Sequence, residues 1–372
     1  MIEYLFLLFF SPLSFYLYKQ CSSKFLKKLF LLISIFIPCI IAGMRDINIG
    51  TDLKVYVNYQ YIITKNFDNF ISYISFLQVD FMYGLLTFIS SKIIYDFNFH
   101  LFIIQLINTI CFVKFINSVK FNTDSNLNYA LAFFIYLVTF YFKSLNLVRQ
   151  HLAISFILLF YTYYLKGKNK TAIIFFIISV LFHSSAIIAL LIPIILNITK
   201  KNNDFNKVSI VILFSTLLIS LFGFNWIFKL IIDLGFFKNI ATLNAGFLNH
   251  SFEFDKIDSF FKIFWIIVFL LLSKTKKDKI YNYSFLICLS FVDIILYEYN
   301  IFVMFGDRLA LYFTTLIYTS FIPQLFISFK KDNLNKIFFT LVVIIMFFTY
   351  FILKYVYQNA GAIYPYASIL GG

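Results

Sequence analysis

Residues 43–61 read Gly-Met-Arg-Asp-Ile-Asn-Ile-Gly-Thr-Asp-Leu-Lys-Val-Tyr-Val-Asn-Tyr-Gln-Tyr and form the first polar stretch after two long apolar runs. Arg45, Asp46, Gly50, Thr51 and Asp52 follow directly on the end of the second run. Ionisable groups at the end of a membrane span are costly and mark a partner or a task. The stretch reads as one wall of a site at a membrane surface. Arg149-Gln150, His183 and Asp307-Arg308 are the expected other walls.

Working outward, the 372 residues are 61% hydrophobic and only 13% charged, against about 25% charged in soluble domains. Long apolar runs alternate with short charged loops, the pattern of helices rather than of a barrel whose residues alternate in and out. The expected fold is an all-α polytopic integral membrane protein, a single transmembrane domain over residues 1–372. Residues 1–18 lack the basic start and small-residue cleavage site of a secretory signal, so they are read as a retained first helix. The net charge of +14 comes from lysines in loops. It is assigned to topology and contact with the anionic lipid bilayer, not to nucleic acid. Cys21, Cys39, Cys111 and Cys288 show no paired spacing, so neither a zinc site nor a disulfide framework is expected.

Apolar runs fall near 2–18, 29–44, 98–119, 129–147, 150–165, 208–224, 259–273, 282–299, 308–328 and 337–356. Residues 171–198 are apolar between two lysine clusters, with His183-Ser184-Ser185 in the middle. Two short helices meeting at His183 keep both clusters on one side, which brings the expected total to about twelve transmembrane helices. One set of loops holds eighteen lysines and no arginine, the other set nine basic residues. The lysine-rich set is therefore cytoplasmic, and both termini are expected outside. This requires residues 81–95 to lie along the outer surface rather than cross. The external loops, about 45–97 and 225–258, are too short for independent cores. Phe67–Phe76 and Trp226–Phe237 within them suit helices resting on the bilayer surface.

Only three of the 31 basic residues are arginines, and Arg45, Arg149 and Arg308 all fall on the external side, each at the mouth of a span. A guanidinium grips phosphate or carboxylate through a planar fork that lysine lacks. Three of them on one face suit a diphosphate group. The alternative is local pairing, of Arg45 with Asp46 or Asp52 and of Arg308 with Asp307 or Glu298. His183 sits at the tip of the short-helix pair, and His151 follows Arg149-Gln150. The histidines are too scattered for a metal site. The absence of a phosphate-binding glycine loop, of GxSxG and of HExxH argues against a cytosolic nucleotide-driven enzyme. No cofactor and no metal are expected.

Five motifs occur in a fixed order. Gly43-Met44-Arg45 leads to Gly50-Thr51-Asp52 and Tyr56. Val148-Arg149-Gln150 with Ala153 opens a span. Leu181-Phe182-His183 with Ser185-Ala186 lies in the hydrophobic pair. Arg308-Leu309 with Tyr312-Phe313 opens a late span, and Tyr364-Pro365-Tyr366 lies in the tail. The order resembles the EpsG family of Wzy-like bacterial polysaccharide polymerases, over nearly the whole chain. The resemblance implies a GT-C-like fold in the bacterial cytoplasmic (inner) membrane. It implies that undecaprenyl-diphosphate-linked oligosaccharide repeat units are joined on the outer face into capsule, exopolysaccharide or O-antigen, alongside a flippase and a chain-length regulator. Arg149 and Arg308, with Arg45 near them, are then expected to clamp the diphosphate. His183 or Asp52 is the expected general base. Thr51, Tyr56, Gln150, Tyr312 and Tyr366 are the further substrate-binding candidates, and Tyr56, Tyr59 and Tyr61 are expected to stack on sugar rings. The rival readings are a flippase for the same lipid-linked units and a related glycan ligase.

Overall fold

The computed structural model describes residues 1–118, 127–201, 256–275, 283–298, 306–325 and 333–369. Among the described residues the regular elements are helical, and a single β-bridge joins Arg45 to Ser368. In chain order they are α1 (Ile2–Gln20), α2 (Lys24–Gly43), α3 (Asn58–Ile62), α4 (Phe70–Leu77), α5 (Phe81–Ile93) and α6 (Phe97–Ser118). Next come α7 (Tyr129–Tyr136), α8 (Phe142–Ser144), α9 (Val148–Leu165), α10 (Asn169–Phe182) and α11 (Leu191–Lys201). The later helices are α12 (Lys256–Thr275), α13 (Tyr283–Glu298), α14 (Gly306–Leu316), α15 (Ile322–Leu325) and α16 (Asn333–Phe351). The expected span at 208–224 and the Trp226–Phe237 stretch lie outside the described residues.

Lys24–Gly43, Phe97–Ser118 and Leu334–Tyr357 are long and apolar enough to cross a bilayer, and Tyr129–Ser144, Asn169–Phe182 and Ser184–Thr199 are shorter apolar helices. Large side chains such as Phe9, Phe25 and Phe338 are 63%, 73% and 69% exposed. In water such a surface would be an aggregation hazard, whereas facing lipid it is at no disadvantage. The chain is an integral membrane protein.

The described chain forms two compact units. The first is Met1–Ala189 with Thr315–Gly372, the second Leu190–Thr314. In the first, α1 packs on α2 and α7, α2 on α6, α6 on α9, and α9 on α10. Its core is aromatic, with Phe112 and Tyr136 stacked at 4.0 Å between centroids. Polar side chains inside it bond across helices. Ser155 donates to Asn108 at 2.8 Å and Ser144 to Gln105 at 3.1 Å, the use that polar groups find within membrane bundles. In the second unit α12 and α11 both pack on α13, around buried Trp265, Phe269 and Phe285.

Residues 45–97 fold back onto the first unit as a cap. Asn69 caps α4 by accepting from the Ser72 amide at 2.9 Å, and Gln78, in the left-handed region at φ 51°, ends it. Gly84 of α5 lets Ile74 of α4 lie close across the turn, since a Cβ there would stand 2.4 Å from Ile74 Cδ1. Tyr73 turns inward beside Phe88 and donates to the Gln60 carbonyl at 2.9 Å, while Ile71 and Phe76 of the same helix stay exposed. Thus α4 packs by one face only. Helix α5, at 13 residues, is about 20 Å long, short of the ~30 Å hydrocarbon core.

The apolar stretch 171–198 breaks where the histidine sits. Helix α10 ends at Phe182, His183 is extended at φ −162° and ψ 121°, and a 3-10 turn, Ser184–Leu190, follows.

Candidate active site

The loop leaving α2 is held from two sides. Asp46 folds it into a turn, accepting from the Asn48 amide at 2.8 Å and its side-chain nitrogen at 2.7 Å. The C-terminal tail then straps it. The Asp46 amide donates to Ala367 O at 2.9 Å, Gly50 to Ala362 O at 3.0 Å, Thr51 to Gly361 O at 3.3 Å, and Ile369 to Met44 O at 3.0 Å. On the other side lies the corner between α8 and α9. Gly50, at φ 98°, approaches so closely that a Cβ there would fall 2.5 Å from Leu145 O. No other residue type fits both the φ and the space.

Asn146, at that corner, organises the loop. Its Oδ1 accepts from Thr51 Oγ1 at 2.9 Å and from the Asp52 amide at 3.0 Å. Sequence reasoning passed over this residue, since a lone asparagine between two spans carries no signal of its own.

Four residues on from Asp52, Tyr56 lies on the same helical face, and its hydroxyl donates to Asp52 Oδ2. Burial first, and then the Asp52 carboxylate, push the Tyr56 phenol well above its ordinary range, so it stays protonated. Arg149, second residue of α9, brings its guanidinium carbon 4.8 Å from the Tyr56 ring centre and 5.9 Å from that of Tyr83. Its Nη1 donates to Asp80 Oδ2 at 3.0 Å. Asp52, Tyr56, Asp80, Tyr83 and Arg149 therefore form one partly open cluster, with the side chains of Arg149 and Asp80 26% and 21% exposed. Asp80 was also missed. It lies 69 residues from Arg149, and only the α4–α5 turn brings it there.

His183 belongs to the same end of the α9–α10 hairpin as Arg149. Ser179 Oγ donates to Ala153 O at 2.7 Å and Phe156 stacks on Phe182 at 5.2 Å, so the two helices run antiparallel with the start of one beside the end of the other. His183 is half-buried. Its Nδ1 accepts from the Ser185 amide at 3.3 Å and contacts Ser185 Oγ at 2.7 Å. A backbone N–H can only donate, so the neutral imidazole carries its proton on Nε2. In that tautomer Nε2 is a donor, not a base.

Arg45 pairs with neither Asp46 nor Asp52. It is 4% exposed, and its Nε and Nη1 have no hydrogen-bond partner. Around it, Tyr4, Tyr141 and Tyr366 donate to backbone carbonyls of Ile363, Pro38 and Ile41, at 2.6, 3.2 and 2.9 Å. Burial lowers its guanidinium to about 10, while the phenols of Tyr141, Tyr4 and Tyr366 act the other way. The group remains charged at neutral pH, beside the carbonyl end of α2 where a cation is favoured. Its neighbours are not those of Arg149.

Gln150 and His151 are buried at the start of α9, and the His151 Nδ1 is engaged by Leu147 O at 2.8 Å. Tyr61 is not available to stack on sugar. It is 1% exposed, lies flat against Tyr95 and His100 at 5.4 and 5.1 Å, and donates to Ile94 O. Tyr59, 55% exposed, keeps a free face. In the second unit, Arg308 is half-buried in the first turn of α14, and Tyr312 is wholly buried in the same helix, the position of a packing residue. Among the described residues no cluster of three or more metal-ligating side chains occurs.

The family model for EpsG matches residues 28–368, a stretch that includes every element of this cluster. The chain belongs to the EpsG family. EpsG proteins are Wzy-like polysaccharide polymerases, which gives this membrane-embedded EpsG chain a general role in polysaccharide synthesis. No curated protein and no solved structure matches the chain.

Proposed function

We propose that this chain is a glycosyltransferase of the bacterial cytoplasmic membrane that polymerises undecaprenyl-diphosphate-linked oligosaccharide repeat units on the outer face. The observation that carries the reading is the cluster of Asp52, Tyr56, Asp80 and Arg149, assembled from three segments far apart in sequence and left partly open. Displacing a lipid diphosphate from an anomeric carbon needs a cation for the charge on the leaving oxygens and a base for the incoming hydroxyl. Arg149 supplies the first, as a fork held by Asp80 and backed by a tyrosine face.

Asp52 supplies the second. It adjoins Arg149 through Tyr56, whereas in the His183 tautomer set by Ser185 Nε2 carries the proton. The acceptor hydroxyl attacks the anomeric carbon, its proton passes to Asp52, and the C–O bond to the diphosphate breaks. His183, with a donor at Nε2, then suits the diphosphate or a sugar hydroxyl as a hydrogen-bond partner. Thr51, Tyr59 and Tyr366 edge the same loop and tail and bind the saccharide, and Arg308, in the second unit, is a separate candidate cation for lipid diphosphate.

Deleting the gene and sizing the surface and lipid-linked glycan tests the reading. Single repeat units that reach the outside without long chains are expected. Units trapped on the inner face would mean a flippase, and long chains left on the lipid would mean a ligase. Either result overturns the polymerase assignment.

A further inference from the structure

The second unit carries a buried ion pair that the reaction above does not use. Lys262 is the seventh residue of α12, about 9 Å from the helix start, amid an apolar sequence. Its Nζ donates to Asp293 Oδ2 of α13 at 2.5 Å and to Thr314 Oγ1 of α14 at 2.6 Å. Thr314 Oγ1 donates in turn to Asp293 Oδ1 at 2.5 Å. The three bonds close a ring across three helices, and the Lys262 and Asp293 side chains are 5% and 3% exposed. A further face of the ammonium lies 5.1 Å from the Tyr297 ring centre.

Apolar packing would hold three helices together at least as well as a buried ion pair does, because removing two charges from water is expensive. What the pair adds is direction. Contacts between leucines survive a small rotation of one helix, whereas hydrogen bonds of 2.5–2.6 Å weaken steeply as their angles change. Lys and Asp side chains as deeply buried as these are rare unless they are paired. The one helix of the three that carries a candidate substrate-binding group is α14. Arg308 stands six residues before Thr314, about 9 Å along the axis and about 120° round it. At eleven residues α14 is short, so a directional anchor at Thr314 constrains its rotation over its whole length.

We propose that Lys262, Asp293 and Thr314 form a positioning lock that fixes the rotation of α14 and with it the presentation of Arg308. The proposal rests on the reading that Arg308 contributes to binding the lipid diphosphate. Thr314 is the positioning residue on α14. Its hydroxyl also lies 3.1 Å from the Ala310 carbonyl of its own helix. Removing that hydroxyl therefore unties α14 while leaving the Lys262–Asp293 bond in place, at the cost of one acceptor for the Lys262 ammonium and one donor for Asp293 Oδ1.

The decisive variant is Thr314→Val in the full chain, reconstituted in lipid, with lipid-linked repeat units as substrate. Expected are a melting temperature lowered by the lost buried bonds, a raised KM for the lipid-linked unit at normal protein level, and polymer output lower by about tenfold or more. Thr314→Ser, which keeps the hydroxyl, should restore output. In parallel, a spin label on Arg308→Cys should change its mobility when Thr314→Val is added. Unchanged polymer output, or a label spectrum that superimposes with and without Thr314→Val, overturns the lock. Should the parent protein itself fail to polymerise, the proposed function falls instead, and the label comparison alone still decides whether Thr314 sets α14.

Discussion

Arg149 has three neighbours of different kinds, a carboxylate at 3.0 Å and two tyrosine faces, and each constrains what a substitution can do. Lysine in its place keeps a charge for Asp80 but loses the fork and the stacking plane. Arg149→Lys should therefore insert and fold normally while polymer formation drops about a hundredfold, as for loss of a transition-state donor. The size distribution of lipid-linked glycan reads it directly, and normal chains from a normally abundant variant would remove Arg149 from the reaction. Asp80→Asn separates positioning from stability. The ion pair is about a quarter exposed, so its loss costs ~1 kcal/mol or less, yet the fork is no longer held and output should fall further than the melting point suggests. Arg45 behaves differently. With no acid as partner it leaves none stranded, so Arg45→Met should keep the fold. The rarity of arginine made all three legible in the sequence. That Arg149 meets Asp80 and that Arg45 is enclosed by tyrosines was not legible, since both depend on contacts across the chain.

Short elements govern the shape of the site more than the long helices do. Gly50 is where backbone meets backbone most closely, as the loop after α2 presses on the α8–α9 corner with a positive φ. Gly50→Ala should cost ~1–3 kcal/mol and release Thr51 and Asp52 from Asn146. Thermal unfolding in detergent and polymer output should fall together. Gly84→Ala is expected to be milder, because the nearest obstacle is the end of the Ile74 side chain rather than backbone. The tail is the second short device. Removing residues 358–372 deletes the amide and carbonyl partners of Asp46, Gly50, Thr51 and Met44. The truncated chain should still reach the membrane, yet the loop should become open to protease and polymer synthesis should be lost. Retained synthesis would show that the strap is dispensable. The break at His183 was readable from its polar residues inside an apolar run. The strap was not, because Tyr364 to Ser368 have nothing in their order that names residues 44–51 as their partner.

The molecule as a whole has a side, and that can be tested with the residues already placed. Lysine counts predict the 43–61 loop and the tail outside and Cys21 inside. A membrane-impermeant thiol reagent applied to intact cells should label Thr51→Cys, an exposed position, and label Cys21 only after the membrane is opened. The reverse pattern would move the site to the cytoplasmic face and end the case for a lipid-diphosphate donor there. Composition also settled the class of molecule, since a chain with 61% hydrophobic and 13% charged residues can satisfy its backbone in a bilayer only as helices or a closed barrel.

By itself, then, the sequence determined the helical membrane class, the family and the short list of polar residues worth following. Those properties are local or additive: hydropathy sums along the chain, and motifs keep their order whatever the packing. Only the tertiary structure decided which candidates meet. Hydrogen bonds and ion pairs act over about 3 Å, so Asp80 on Arg149, Asn146 on Thr51 and Asp52, and the burial of Tyr61 arise when distant segments are folded together. Distance along the chain predicts none of them.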